Sequence, residues 1–290
     1  MATFFNQASL SYGNIVTNSN ITEGELIEVV SATKSAITSS YAQGEPIAYA
    51  INLVNSGTVP FTDLTVVDNL GAYVFTDSNG NDVTLYPLSY VDGSARLYIN
   101  GILQTATPTV TAGPPLVFNG VNIPAGANIS LIYEAVPNEY APLAAGSTIT
   151  NTAIISGSGI AEPITVTATI GARDTVSLTI AKAICPPVVT DNGQLSYTFI
   201  IQNTGNEEIL ATDNVIVRDI FNPILNPIAV TLNGVAWSEG VNYTYDETTG
   251  EFASLPGQIT VPASSYVQNA ETGSYSATPG VAIITVTGTV

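Results

Sequence analysis

The sequence predicts an all-β chain built from two tandem β-sandwiches preceded by one extra strand. Three observations carry that reading. Short runs alternate apolar and polar residues, with turn residues between them and no helical period. One sandwich-sized pattern occurs twice. The opening segment matches the closing strand of the first copy and not its opening strand.

Length and composition agree with this. A chain of 290 residues with 45% hydrophobic side chains is long enough for two domains with real cores. Runs such as IAYAINLVNSG, LTVVDNL, VNIPAGANISLIYEAV and ITNTAIISGSG read as strands and hairpins of a sandwich. The repeat pairs residues 32–57 (ATKSAITSSYAQGEPIAYAINLVNSG) with 180–205 (IAKAICPPVVTDNGQLSYTFIIQNTG). Downstream, LTVVDNL matches VIVRDIF, Asn100-Gly101 matches Asn233-Gly234, and NIPAG matches TVPAS. The expected division is a strand and linker at 1–24, a first sandwich at 25–173 and a second at 174–290.

The copies differ at one end. The first closes with TITNTAIISG, whereas the second reaches the matching AIITVTGTV at Val290 without an equivalent of that last strand. FNQASLSYG at 5–13 aligns instead, with Asn6 on Asn151, Ala8 on Ala153 and Leu10 on Ile155. Lys34 precedes Asn151 by 117 positions, and Asn6 of a copy following head to tail would fall 114 positions after Lys182. The repeat therefore stays in phase from one subunit into the next. A strand comprising Phe4, Asn6, Ala8 and Leu10 on one face is expected to complete the neighbour's second sandwich.

Only two lysines occur, Lys34 and Lys182, at equivalent places. Strand alternation puts Lys182 on the face of Val176, Leu178, Ile180 and Ile184, pointing into a core, and Lys34 with Val30, Ala32 and Ala36. Asp68 shares a face with Leu64 and Val66, Asp219 with Val215 and Val217, and Asn151 with Ile149, Ala153 and Ile155. Each domain is expected to bury a Lys, an Asp and an Asn together. Two readings fit such a triad: a hydrogen-bonded polar core, or a free amine that attacks the Asn amide while Asp acts as catalytic acid. The second joins Lys34 to Asn151 with Asp68 assisting, and Lys182 to the neighbour's Asn6 with Asp219 assisting. This is self-modification and not turnover.

The strand-A lysine, Asn55-Ser56-Gly57 and Asn203-Thr204-Gly205, Val67-Asp68, Pro124-Ala125-Gly126 and Asn151-Thr152-Ala153 together resemble the bacterial conserved repeat domain called domain of unknown function eleven. That resemblance covers both copies and implies immunoglobulin-like sandwiches, often in tandem, on bacterial and archaeal surfaces. The layout is also similar to fibre subunits assembled by donor-strand complementation and to pilins cross-linked by isopeptide bonds. The second copy departs from the pattern in lacking the Asn-Thr-Ala strand.

Composition weighs against other classes. A formal net charge of −18, from 23 acidic and 5 basic residues, is wrong for nucleic acid, which needs clustered cations. With no histidine and a single cysteine, Cys185, neither the usual general base nor a thiolate metal site is expected, and no metal or cofactor is. Cys185 reads as a small buried hydrophobe. Asp77 to Asp82 reads as a hairpin tip and not a calcium loop. No stretch is apolar enough to span a membrane, and the N-terminus carries no signal-peptide pattern. The expectation is therefore a head-to-tail homopolymer whose partner is itself, exposed on a cell or spore surface, the spore being favoured. A monomeric adhesin or glycan-binding module, with the N-terminal strand folded onto its own second domain, is the alternative.

Overall fold

A computed structural model describes residues 2–26 and 29–290. The described residues are all-β, with one short 3-10 turn at Ala211–Asp213. The chain divides into two compact units, one comprising 1–74, 84–138 and 149–170 and the other 75–83, 139–148 and 171–290.

The N-terminal arm contains β1 (Ala2–Asn6), β2 (Ser9–Tyr12), β3 (Ile15–Asn18) and β4 (Thr22–Leu26). β2 and β3 form a hairpin, and β1 pairs antiparallel with β4 from Ala2 opposite Leu26 to Asn6 opposite Thr22. The break at Gln7 and Ala8 divides the expected single strand in two, because Gln7 Nε2 and the Ala8 amide both turn to Ser19. Phe4 covers Gly24, where an added Cβ would come within 2.5 Å of the ring. Even so, Phe4 and Leu10 remain exposed.

The first sandwich begins with β5 (Val30–Ala36), β6 (Ser40–Tyr41), β7 (Ile47–Asn55) and β8 (Phe61–Asp68). A small pair follows, β9 (Tyr73–Thr76) with β10 (Asp82–Leu85). Then come β11 (Leu88–Tyr90), β12 (Arg96–Ile99), β13 (Ile102–Leu103), β14 (Thr109–Thr111), β15 (Leu116–Ile123), β16 (Asn128–Pro137), β17 (Thr148–Ser156) and β18 (Ile164–Ala172). One sheet runs β13-β12-β16-β7-β5, with β11 also on β16, and the other runs β14-β15-β8-β17-β18-β6. Burial alternates strictly along β7, β16 and β17, so every second residue enters the core. The Asn100-Gly101 turn holds both residues at positive φ, 49° and 79°, as a tight hairpin requires.

The second sandwich repeats the first with four strands fewer. Its strands are β19 (Leu178–Cys185), β20 (Gln194–Asn203), β21 (Arg218–Ile220), β22 (Ile228–Leu232), β23 (Val235–Trp237), β24 (Tyr243–Tyr245), β25 (Glu251–Ser254), β26 (Ser265–Gln268), β27 (Tyr275–Thr278) and β28 (Gly280–Thr289). The sheet β19-β20-β28-β22-β23 reproduces β5-β7-β16-β12-β13 strand for strand, and β21-β25-β24 reproduces β8-β15-β14. β26 and β27 form an inserted hairpin. β8 lies between β15 and β17, whereas β21 pairs only with β25 among the described residues. Among the described residues this sheet has no counterparts of β17 and β18.

The Asn-Ser/Thr-Gly motif has a structural role in both copies. Asn55 Nδ2 donates to the carbonyls of Val59 and Pro124 while its Oδ1 accepts from the Gly57 amide. Asn203 does the same with Glu207, Pro262 and Gly205. One buried amide thus satisfies the backbone where a strand leaves the sheet. Gly205 allows the close approach, since a Cβ there would meet the Thr175 carbonyl oxygen at 2.1 Å.

Candidate cross-linking sites

In the first sandwich the alternation that buries Leu64 and Val66 on β8 carries Asp68 inward, and that of Ile149 and Ala153 on β17 carries Asn151. Lys34, on edge strand β5, faces them from the opposite sheet. All three are buried, Lys34 being 7% exposed and Asp68 and Asn151 0%. Lys34 Nζ lies 2.6 Å from Asp68 Oδ2. Asp68 Oδ1 accepts the Leu70 amide at 2.9 Å. The three residues expected to meet in this core are brought together.

Two tyrosines complete the site. Tyr133 Oη donates to Asp68 Oδ2 and accepts from Asn151 Nδ2 at 3.0 Å. Tyr49 stacks on Tyr133 with centroids 5.6 Å apart, and its ring lies 5.3 Å from Lys34 Nζ. Asn151 Oδ1 has no hydrogen-bond donor among the described residues. The chain's tyrosines are scattered over strands, core and surface, so nothing singled these out. The available signal was positional: Tyr49 and Tyr133 fall on the inward parity of β7 and β16 and are opposite each other in register.

Electrostatics favours a reactive amine. Burial pulls the Lys34 ammonium down from 10.5 to about 8, against the Asp68 charge and its hydrogen bond, which push it up. The phenols of Tyr49 and Tyr133 are pushed up, first by burial and then by Asp68, so both stay protonated. An amine, a carboxyl and a carboxamide with an undonated oxygen, all shielded from water, can form an amide bond with release of ammonia.

The second sandwich holds two of the three groups. Lys182 pairs with Asp219, its Nζ 4.2 Å from the Tyr197 ring centroid and 5.6 Å from those of Phe199 and Phe221. The expectation of a buried lysine needs correction: its side chain is 39% exposed, and every residue of β19 is exposed, Ile180 to 57%. The inward parity is right, but among the described residues no strand covers this edge and no Asn side chain joins the pair; Asn6 lies in β1, where its carbonyl accepts from Thr22 Oγ1 at 3.2 Å. Cys185, expected to be buried, is exposed at the end of the same open strand. Asp77 forms the expected hairpin tip, accepting from the Asn79 and Asn81 amides, and no metal-holding cluster occurs among the described residues. No helix among the described residues is long and apolar enough to cross a membrane.

No protein-family model matches the chain, and no curated protein matches it in sequence. The resemblance to the conserved repeat domain therefore rests on the motifs alone. Among solved structures the chain is similar to the major pilin subunit BcpA of Bacillus cereus, at 13% identity and TM-score 0.33, over 97% of this chain and 73% of that one. It is also similar to the collagen adhesin of S. aureus, at 12% identity and TM-score 0.31, over 56% of this chain and 55% of that one. A family 123 glycoside hydrolase from Clostridium perfringens matches at 8% identity and TM-score 0.30, over 50% of this chain and 27% of that one. The chain thus spans little more than a quarter of the hydrolase and about half of the adhesin. Three such different proteins at this level of likeness assign no activity.

Proposed function

We propose that the chain is the structural subunit of a surface filament that grows head to tail. The observation that carries this reading is the open edge of the second sandwich at β21. There the described residues hold no counterpart of β17, the Lys182–Asp219 pair waits beside the gap, and residues 5–13 of the same chain align with β17 through Asn6, Ala8 and Leu10. In the filament the N-terminal strand of one subunit lies against β21 of the next, adding a strand to an edge that would otherwise leave backbone groups unpaired. Asn6 then takes the place that Asn151 has in the first sandwich. Lys182 attacks its amide with Asp219 as the acid, making the fibre covalent, while Lys34 and Asn151 cross-link each subunit internally.

Burial drives the docking. Phe4 and Leu10 are both more than half exposed in the arm, and covering each contributes about 1.5–3 kcal/mol. The backbone bonds that β1 makes with β4 and β2 with β3 are exchanged for bonds with β21, so hydrogen bonding changes little. A contact between two different surfaces propagates as a filament unless rotation closes a ring. The subunit modifies itself and turns over no substrate. A spore-surface location, expected from the sequence, is tested by immunogold labelling of intact spores and cells.

The test is electron microscopy with a denaturing gel of boiled protein. Filaments and a ladder of multimers, the ladder abolished by Asn6→Ala or Lys182→Ala, support the proposal. A single monomer band with no filaments sinks it and leaves the monomeric binding module.

A further inference from the structure

Three hydrogen bonds in the first sandwich form an unbroken path from the proposed nucleophile to the proposed leaving group. Lys34 Nζ meets Asp68 Oδ2 at 2.6 Å, Tyr133 Oη donates to that same oxygen, and Asn151 Nδ2 donates to Tyr133 Oη at 3.0 Å. Building on the proposed Lys34–Asn151 cross-link, we infer that Tyr133 is a catalytic residue, relaying a proton from Asp68 to the departing nitrogen of Asn151. An amide nitrogen leaves poorly unless it is protonated. Asp68 Oδ2 hydrogen-bonds Lys34 and Tyr133, and the Tyr133 hydroxyl is the group in contact with Asn151 Nδ2.

The step balances. Lys34 first passes one ammonium proton to Asp68, leaving a free amine. Its lone pair attacks Asn151 Cγ, and the Nζ–Cγ bond forms as the carbonyl electrons move to Oδ1. Tyr133 gives its proton to Nδ2 and takes the one held by Asp68. The Oδ1 electrons re-form the carbonyl, the Cγ–Nδ2 bond breaks, and Nζ returns its surplus proton to Asp68. Of the five protons on the two nitrogens at the start, three leave on ammonia, one stays on the new amide and one rests on Asp68. Tyr133 ends as it began, and no oxidant or cofactor enters.

The second sandwich supplies an internal control. Its β20 and β28 pair Tyr197 with Val286 where β7 and β16 pair Tyr49 with Tyr133. The counterpart of Tyr133 is therefore a valine, and the bond between subunits does not use this relay.

The experiment is cell-free synthesis of the full chain, quenched over time in acidic denaturant and weighed intact, with digestion to locate each loss of ammonia. Tyr133→Phe keeps the ring and removes only the hydroxyl. It is expected to slow the Lys34–Asn151 loss about 100-fold or more, the usual scale of general acid catalysis, while the multimer ladder persists. An unchanged rate overturns the relay. Should Tyr133→Phe misfold and lose the ladder too, 3-fluorotyrosine at position 133 decides. A more acidic phenol is expected to speed the loss several-fold, and an unmoved rate overturns the inference. Wild-type chain that keeps its full mass at Lys34 and Asn151 overturns the cross-link itself and the relay with it.

Discussion

Replacing Asn151 with Ala removes the proposed electrophile while leaving the Lys34–Asp68 ion pair in place, and its cost follows from topology. A bond from Lys34 to Asn151 closes a loop of 117 positions. By the chain-entropy relation used for disulfides, a loop of that length restricts the unfolded chain by about 5 kcal/mol. For a domain of this size each kcal/mol shifts the midpoint by roughly 2–4 °C, so the first sandwich should melt about 10–20 °C lower. Scanning calorimetry on wild type and Asn151→Ala, with intact masses, measures both ends of the argument. The variant should also show one ammonia loss fewer per subunit, relative to its own sequence mass, than the wild type while still forming the ladder. A shift of only a few degrees, or a wild-type first sandwich already carrying its full mass, would refute the reasoning.

Three further outcomes follow from the same geometry. Because the reaction needs the one proton that Lys34 passes to Asp68, and burial brings Lys34 to about 8, the rate of the intrachain reaction should be level below that value and fall about tenfold per pH unit above it, as the acid proton is lost. A time course at several pH values checks this, and a flat profile from 6 to 9 contradicts it. Pairing Phe5→Cys with Glu23→Cys, opposite each other in β1 and β4, in a Cys185→Ser background should lock the arm under oxidising conditions. Filament growth should stop and resume on reduction, as followed by light scattering. Asn203→Ala strands the Glu207 and Pro262 carbonyls and the Gly205 amide, so it should cost the second sandwich about 2–4 kcal/mol in urea unfolding.

Much of this architecture is legible in the sequence because strands write their burial in a period of two. The inward parity of Lys34, Asp68 and Asn151 can be read from their apolar neighbours, and each is buried as that parity requires. Parity says which way a side chain points but not whether anything covers it. Lys182 has the correct parity on β19 and still lies partly open, because its cover depends on a strand that β21 does not have among the described residues. Cys185 is exposed for another reason: three positions beyond Lys182, it falls on the opposite, outward face of β19. The arm misleads differently: its apolar alternation describes a strand in a groove, whereas here Phe4 and Asn6 lie opposite Gly24 and Thr22, Leu10 lies opposite Thr17, and the strand breaks at Gln7 and Ala8. Tyr133 was hidden because a tyrosine on an inward face is ordinary packing until the partners of its hydroxyl are known.

The account depends most on one bond between subunits. Boiled multimers excised from a denaturing gel and digested should yield a branched peptide joining Lys182 to Asn6, lighter by one ammonia than the two linear peptides together. Multimers in which the Lys182 and Asn6 peptides are recovered only in unmodified linear form would contradict it.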